Sequence, residues 1–502
     1  MGKSTPARIF VTLAGSTLSA MESQAVSVLS SAVGYEFRLD YLREYDDLAS
    51  RLHQMLLRLH LPQSIATCRR ADAGGLFEGD VEEQAVVLEA AASAGCRWVD
   101  VEIESVARAG PALLGRFRPA KVIVSYHNYR RMPPLGDVLR KLARMPAQVV
   151  KIAAHARQLE DNLRIRRLLK SRRGRSPKLV ALALGPSGLP SRLLSLKWGC
   201  PFTYATAGSH LAVAQGQLPA EIMRSVYRVD HLDQHTQLYG IVGSRASISL
   251  SPAMQNAAFH AKHVNAVYLP CETNRLADFL TFARELAFTG FSVTMPFKTA
   301  IIRELDWVEP LSAQIGACNT VAVQRGKWMG WNTDAAAVIE VLTKRLRLAG
   351  SRVLVLGAGG AARAAAFALR AEGAVVFIAA RREAAGRSLA RALSAQVVAW
   401  GSADGLDVDA VINATPIGMA PHVDALPIDL ARLRVRVVFD MVYYPLETRF
   451  LVEARGRGLT AISGLEMLVA QGARQFEIWS GQSAPRALME QAVRGALGED
   501  VG

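Results

Sequence analysis

Nowhere does the sequence hold the roughly 18 consecutive apolar residues that a membrane-crossing helix requires; each apolar run stops at Arg, Gly or Pro. A membrane-embedded chain is therefore not expected. The opening segment Met1-Gly2-Lys3-Ser4-Thr5-Pro6 lacks the apolar core of a secretory signal, and it carries Pro6 where a myristoylation signal wants Ser or Thr. A cytoplasmic location is the expectation. Cysteine is scarce: Cys68, Cys96, Cys200, Cys271 and Cys318 are odd in number and never spaced as C-x-x-C. That argues against a disulfide framework and a structural zinc site, so core thiols and no metal are expected. The densest basic stretch, in turn, lacks aromatic residues. Arg164, Arg166, Arg167, Lys170, Arg172, Arg173, Arg175 and Lys178 follow one another without an interleaved ring, which reads as a solvated helix face and not as a nucleic-acid site. The net charge of +15 suits attraction of small anionic substrates at long range.

What is present is enough apolar material for several cores. The 502 residues are 50% hydrophobic and 21% charged, the profile of a folded chain of two or three domains. Up to about Arg228, short β-branched runs alternate with helical stretches such as Asp46–Leu59 and Glu82–Ala94. The runs are Ile9–Leu13, Tyr35–Leu39, Ser64–Cys68, Trp98–Ile103, Lys121–Tyr126, Val149–Ala153, Leu179–Leu184 and Phe202–Ala205. Strands alternating with helices in this number predict a closed parallel (β/α)8 barrel over 1–230, with its chemistry at the C-terminal strand ends. Polar residues collect there: Arg38, Asp40, Arg69, Glu102, Glu104, His127 and Lys151. A polar link around 228–237 ends the barrel. Beyond it, strands and helices alternate again around one glycine turn. This predicts a two-lobed α/β unit, with a substrate lobe over 237–340 completed by 465–497 and a Rossmann nucleotide domain over 350–464.

Lys151 stands in the apolar run Val149-Val150-Lys151-Ile152-Ala153, where a charge is costly unless paired or neutralised. Burial favours the free amine, which can attack a carbonyl. Taken alone, it reads as readily as a strand-end lysine whose ammonium reaches water, and His127 as a loop histidine bonded to backbone. Together at one rim, they suit imine formation with proton abstraction beside the imine carbon. Tyr35-Glu36-Phe37-Arg38-Leu39-Asp40, Ser125-Tyr126-His127-Asn128, Lys151-Ile152-Ala153, Pro190-Ser191-Arg192 and Gly216-Gln217 occur in an order that resembles the type I 3-dehydroquinate dehydratases. The resemblance implies that Lys151 forms an imine with the C3 ketone of 3-dehydroquinate. His127 would take the C2 proton and help water leave from C1. Glu36, Arg38, Arg69, Arg192 and Gln217 would hold the substrate's hydroxyls and carboxylate. Two positions depart from the family pattern. Leu76 follows Gly74-Gly75 where a histidine-orienting Glu is usual, with Glu78 two positions on, and Val213 replaces a loop Ser.

In the second half, Arg352–Leu356 leads into Gly357-Ala358-Gly359-Gly360-Ala361-Ala362, a strand, glycine turn and helix start. Gly357 permits the tight turn, Gly359 lets backbone approach a pyrophosphate, and the helix N-terminus offers amides to phosphate. The next strand, Val375–Ala380, ends in Arg381-Arg382 in place of an acidic residue, which favours the 2′-phosphate of NADP over the free ribose of NAD. Ser247–Pro252, Ser292–Lys298, Gly316–Thr320, Gly330–Asp334 and Gly464–Gln471 form an ordered set that resembles shikimate dehydrogenase over essentially all of 237–497. The resemblance implies that Ser249 and Ser251 bind the substrate carboxylate, while Thr294, Asn319 and Gln471 bind ring hydroxyls. Lys298 and Asp334 would be the catalytic pair, and Tyr443 would close the carboxylate end. Gly357, Ala358, Gly359, Gly360, Ala361, Arg381, Arg382, Thr415, Met419 and Gly464 would meet NADP. Pro416 stands for a usual Ser in the nicotinamide-side loop.

The reading is thus a fusion that dehydrates 3-dehydroquinate and reduces the product, 3-dehydroshikimate, with NADPH. An active dehydrogenase with a weak or inactive barrel stays open as an alternative, and a quinate-preferring oxidoreductase is disfavoured by Ser249, Ser251 and Arg381. The sequence carries no mark of oligomeric state.

Overall fold

The β-branched runs of the first half become eight parallel strands in the computed structural model, which describes residues 8–498 apart from 30–32, 62, 209, 210, 212, 213, 215 and 402–404. They are β1 (Ile9–Leu13), β2 (Val33–Arg38), β3 (Ser64–Thr67), β4 (Trp98–Glu102), β5 (Lys121–Asn128), β6 (Val149–His155), β7 (Lys178–Leu184) and β8 (Thr203–Thr206). The ladder order is β7-β6-β5-β4-β3-β2-β1-β8. No ladder joins β7 to β8 among the described residues. Yet Leu182 and Leu184 of β7 and Tyr204 of β8 share one buried apolar cluster with Phe10, Ile65, Ile123 and Val149, so the sheet curls into a barrel. Helices cover its outside. In Leu48–Arg58 the buried residues are Leu48, Leu52, Met55 and Leu56, an apolar stripe at helical spacing. Helix Val81–Ser93 starts at a capping box, in which Asp80 accepts from the Glu82 and Glu83 amides and the Glu83 side chain accepts in return from the Asp80 amide.

Two strands run further than the apolar pattern predicts. β5 continues through His127 and Asn128, because β6 continues to His155 and supplies Ala153 and Ala154 as ladder partners. His127 therefore lies within a strand and not just past one. Lys151 faces Ser125 across the same ladder.

The second half holds two sheets. One comprises β9 (Gln237–Gly243), β10 (Ala266–Glu272), β11 (Gly290–Val293), β12 (Trp307–Val308), β13 (Thr320–Gln324) and β14 (Lys327–Trp331), in the order β10-β9-β11-β13-β14-β12. The other comprises β15 (Arg352–Leu356), β16 (Val375–Ala379), β17 (Gln396–Val398), β18 (Ala410–Asn413), β19 (Val437–Asp440) and β20 (Thr460–Ile462). Its order, β17-β16-β15-β18-β19-β20, is all parallel and reverses direction between β15 and β18, the doubly wound arrangement in which ligands bind at the switch point. Helix Gly464–Ser480 serves both cores. Met467 and Ala470 join the apolar cluster around β15 and β18, while Leu465, Leu468 and Phe476 join the one around β9.

By contact the chain divides into two units, 1–236 with 269–286 and 237–268 with 287–502. All five cysteines are buried and unbridged. No described helix is long and apolar enough to cross a membrane. In the basic stretch, helix Asp161–Arg172 buries Leu163, Ile165, Leu168 and Leu169, and leaves Arg167 and Lys170 exposed.

Candidate active sites

The C-terminal strand ends of the barrel enclose one cavity, lined by Glu36, Arg38, Arg69, His127, Lys151, Arg192 and Gln217. All seven are residues that the sequence pattern grouped. Lys151 Nζ donates to Asp100 Oδ2 at 2.9 Å, lies 3.5 Å from Glu36 Oε1, and sits 4.0 Å above the centre of the Tyr204 ring. Asp100 Oδ1 accepts from Ser125 Oγ at 2.6 Å and is 3.4 Å from Arg69 Nη2. Burial would push the Asp100 carboxyl up, but Lys151, Arg69 and the two donors outweigh it and hold the group below its ordinary value. Glu36 is fixed by the hydroxyls of Thr12 and Thr67, at 2.8 and 2.9 Å. Arg38 is fixed by a two-pronged pair with Asp40.

His127 is neutral here. Burial first, then the charges of Arg69, Lys151, Arg38 and Arg192, drive its pKa well below the usual value. Its Nδ1 accepts from Arg69 Nη1, which leaves the hydrogen on Nε2. Arg192 is 2% exposed, makes no ion pair among the described residues, and its Nε has no hydrogen-bond partner. Burial pulls its pKa down to about 10. A buried guanidinium without a counter-charge, lining a cavity, is a place for an anion.

Asp100 was missed by the sequence reading. The available signal was a carboxylate inside the apolar run Trp98-Val99-Asp100-Val101, as anomalous as Lys151 in its own strand. Glu102 and Glu104, marked at the rim, do not line the cavity. Glu102 instead accepts from the Arg70 amide and Gln84 Nε2. Neither substitute orients the histidine: the Leu76 side chain is exposed, and Glu78 is exposed with no hydrogen bond or ion pair among the described residues. Val213 lies outside the described residues.

The second site forms where β11, β13 and the helix Thr333–Thr343 meet the glycine turn. Lys298 Nζ donates to Asp334 Oδ2 at 2.6 Å. Asp334 Oδ1 accepts from Asn319 Nδ2 at 2.8 Å, and the same amide nitrogen lies 3.5 Å from Gln471 Oε1. Thr333 N and Thr320 Oγ1 both donate to Asn319 Oδ1 at 2.8 Å, so its orientation is set. Thr294 leaves β11 half-buried, with its amide on Val242 O. Ser249 Oγ accepts from the Ser251 amide at 3.2 Å, and the Ser249 side chain faces the Tyr443 hydroxyl.

The aliphatic stem of Lys298 lies along the glycine turn: a Cβ on Gly360 would stand 3.1 Å from Lys298 Cδ. Gly357 has φ +115°, which requires glycine, and a Cβ there would meet Ala414 O and Thr415 Cγ2. Gly359, just before helix Gly360–Ala371, has neither strain nor a neighbour within 4 Å of such a Cβ. The fold does not require glycine there; its missing side chain leaves open space above the amides of the helix start, as a pyrophosphate needs. Ala358 and Ala361 are half-buried in the same turn, and Met419 is half-buried in the loop after Thr415. Gly464 packs on that side too, since a Cβ would come within 2.3 Å of Val442 O. Arg381 and Arg382 are exposed beyond β16, with no carboxylate partner among the described residues. These residues fit a phosphorylated dinucleotide. Among the described residues no cluster of three or more His, Cys, Asp or Glu could hold a metal.

Known protein families match both halves of the chain. The family model of type I 3-dehydroquinase matches residues 9–234. The models of the shikimate dehydrogenase substrate binding domain and the shikimate 5′-dehydrogenase C-terminal domain match 241–321 and 464–494. The bifunctional 3-dehydroquinate dehydratase/shikimate dehydrogenase, chloroplastic, of Arabidopsis thaliana is 34% identical over 481 residues, covering 91% of this chain and 79% of the relative. The NADP(+) shikimate dehydrogenase of Moorella thermoacetica is 41% identical over 53% of this chain and 96% of its own. The crystal structure of Thermus thermophilus shikimate 5-dehydrogenase with NADP(H) and shikimate is 36% identical, covers 52% of this chain and all of that one, and has a TM-score of 0.49. With a cavity built around Lys151, a lysine–carboxylate pair beside the glycine turn, and a relative that matches nearly all of it, this chain belongs to the bifunctional 3-dehydroquinate dehydratase/shikimate dehydrogenase family.

Proposed function

We propose that the barrel dehydrates 3-dehydroquinate through an imine on Lys151, and that the second half reduces the resulting 3-dehydroshikimate with NADPH. The dehydratase is assigned to 1–230, the substrate lobe to 237–340 with 465–497, and the nucleotide domain to 350–464. The observation that carries the reading is that each lysine is paired with a buried carboxylate beside groups that complement its partner chemistry.

In the barrel, Arg192 takes the substrate carboxylate, and Glu36, Arg38, Arg69 and Gln217 take its hydroxyls. The Lys151 amine attacks the C3 carbonyl carbon, and the carbinolamine loses water to give the iminium. His127, held neutral, takes the C2 proton on Nδ1 as Arg69 turns from that nitrogen to the substrate, and electrons flow into the iminium. The imidazolium then returns that proton to the departing C1 hydroxyl, so water leaves. Hydrolysis of the imine frees 3-dehydroshikimate and Lys151. Asp100 holds the lysine in line throughout.

In the reductase, Ser249, Ser251 and Tyr443 receive the carboxylate, and Thr294, Asn319 and Gln471 the ring hydroxyls. When bound, the dinucleotide would supply the hydride; Arg381 and Arg382 would hold its 2′-phosphate, Gly357–Ala361 and Gly464 would surround its phosphates, and Thr415 and Met419 would line the nicotinamide side. Lys298 gives a proton to the oxygen that becomes the new alcohol, and Asp334 steadies the ammonium while it does so. The test is turnover of 3-dehydroquinate by the whole chain. Without NADPH, 3-dehydroshikimate should accumulate; with it, shikimate should form. Reduction of added 3-dehydroshikimate without any turnover of 3-dehydroquinate would leave only the second half of the assignment.

A further inference from the structure

β18 and β19 end side by side, with Asn413 directly opposite Asp440 in the ladder, and both side chains are fully buried. Asn413 Nδ2 donates to Asp440 Oδ1 at 2.9 Å and also to Ile417 O at 3.0 Å. Asn413 Oδ1 accepts from the amide and hydroxyl of Thr415, at 3.1 and 2.6 Å. Asp440 Oδ1 accepts from the Val442 amide at 3.0 Å, and Oδ2 from Thr448 Oγ1 at 2.7 Å. Each side chain thus shapes the loop that leaves its own strand, and the Asn413–Asp440 bond joins the two loops. One loop carries Thr415, packed against Gly357 of the dinucleotide turn. The other carries Tyr443, whose hydroxyl faces Ser249. A second link, from the Ala420 amide to Tyr444 O at 3.1 Å, holds the loops together further out.

A buried carboxylate held by neutral donors is a costly feature for a merely structural turn. All three donors aim hydrogens at Asp440, two at Oδ1 and one at Oδ2, so the ionised form satisfies them as they stand, and a proton on Oδ2 requires the Thr448 hydroxyl to reverse. The Asn413 and Val442 nitrogens cannot turn round to accept a proton. Among the described residues no charged side chain contributes to its environment: the groups facing it are Asn413, the Val442 amide and Thr448.

We propose that Asp440 is a positioning residue of the reductase: through Asn413 and Val442 it sets the spacing between the loop at the dinucleotide turn and the loop that holds the substrate carboxylate. The proposal rests on the reading that Tyr443 and Ser249 take that carboxylate and that Thr415 lies at the cofactor. Hydride transfer is sensitive to such spacing, because reacting atoms must be held within a few tenths of an ångström. Burial lifts the Asp440 carboxyl to about 6 despite its three donors, so the network stands as described above that pH, and below it the carboxyl loses its charge and its bond to Thr448 must reverse.

The experiment uses the full chain, with its dehydratase rate as an internal standard that should not change. Asp440→Asn should lower kcat/KM for 3-dehydroshikimate reduction by roughly ten- to a hundredfold, raising KM for 3-dehydroshikimate and for NADPH together. In the wild type, reduction should fall off below about pH 6, and Asp440→Asn should abolish that limb. Thr448→Val removes a donor that lowers the carboxyl, so it should move the limb to higher pH, and it serves as the second variant if Asp440→Asn folds poorly. A double-mutant cycle separates positioning from bulk stability. Thr415→Val and Tyr443→Phe should be coupled in the wild type and additive when Asp440 is Asn. Wild-type constants in Asp440→Asn, or additivity already in the wild type, would overturn the proposal. If Tyr443→Phe and Thr415→Val each leave both Michaelis constants unchanged, the underlying site reading has failed and the proposal falls with it.

Discussion

Two lysines, Lys151 and Lys298, each donate to a buried carboxylate at under 3 Å, yet their surroundings are opposite in kind. Around Lys151 stand three arginines, two carboxylates and an imidazole kept neutral by burial and by the positive charge of its neighbours. Around Asp334, the partner of Lys298, stand neutral amides and hydroxyls: Asn319, Thr333 and, one step on, Gln471. The contrast fits the chemistry proposed for each lysine. A nucleophilic amine and a neutral base must work within reach of an anionic substrate, so cations crowd in to bind it and to keep the base free of an added proton. A proton donor needs its charge, so one carboxylate suffices and the remaining contacts can be neutral.

Removing each lysine tests that contrast most severely. Lys151→Ala should lower dehydratase turnover by roughly four orders of magnitude or more and leave reduction intact. Borohydride added with 3-dehydroquinate should fix the ligand to Lys151 in the wild type and not in the variant; full dehydratase activity in Lys151→Ala would refute the imine. Lys298→Ala and Asp334→Ala should each slow reduction by roughly two to four orders of magnitude. Because the pair acts as one device, the double variant should be little worse than either single one. Additive losses would mean independent roles.

The arginines proposed to bind anions extend the comparison to smaller effects. Arg192 is 2% exposed, whereas Arg381 stands in water. A charge-assisted hydrogen bond contributes about 1.5–3 kcal/mol, and screening places an exposed one at the lower end. Arg192→Met should therefore raise KM for 3-dehydroquinate about a hundredfold, and Arg381→Ala should raise KM for NADPH about tenfold with NADH nearly unaffected. Equal use of NADH and NADPH by the wild type would show that the two surface arginines do not select the cofactor. The smallest expected change is in the pH profile of the dehydratase. His127 is held well below its ordinary value, so it stays neutral as pH falls and should add no acid limb between about pH 8 and about pH 6. Reduction, by contrast, should lose rate below about 6 as Asp440 takes a proton.

Much of this architecture was legible locally. The run Ile9–Leu13 and the starts of β3 to β6 fall where β-branched residues begin, and the glycine turn sits between β15 and its helix as the spacing implies. Lys151 stood out because a charge interrupted an apolar strand, and the cavity brings it together with the residues the sequence pattern had grouped around it. Other features had no local signature. Asp100 and Lys151 are 51 positions apart, and Asn413 and Asp440 are 27 apart. Arg69 meets His127 Nδ1 as a donor, the opposite polarity to the accepting carboxylate that is usual at the position of Leu76. Glu102 shares the alternation of Asp100 in β4, yet it turns to Arg70 and Gln84 outside the cavity.

The division has a physical cause. Periodicity, glycine placement and lone charges record what each segment asks of its own surroundings, burial on one or two faces or a φ that only glycine tolerates, and these the amino-acid order determines by itself. Which groups then meet depends on ladder register between strands far apart in the chain. A slip of one residue would send every side chain of a strand to the opposite face. Only the assembled sheets decide that Lys151 finds Asp100, that Arg69 reaches His127, and that Asn413 ends level with Asp440.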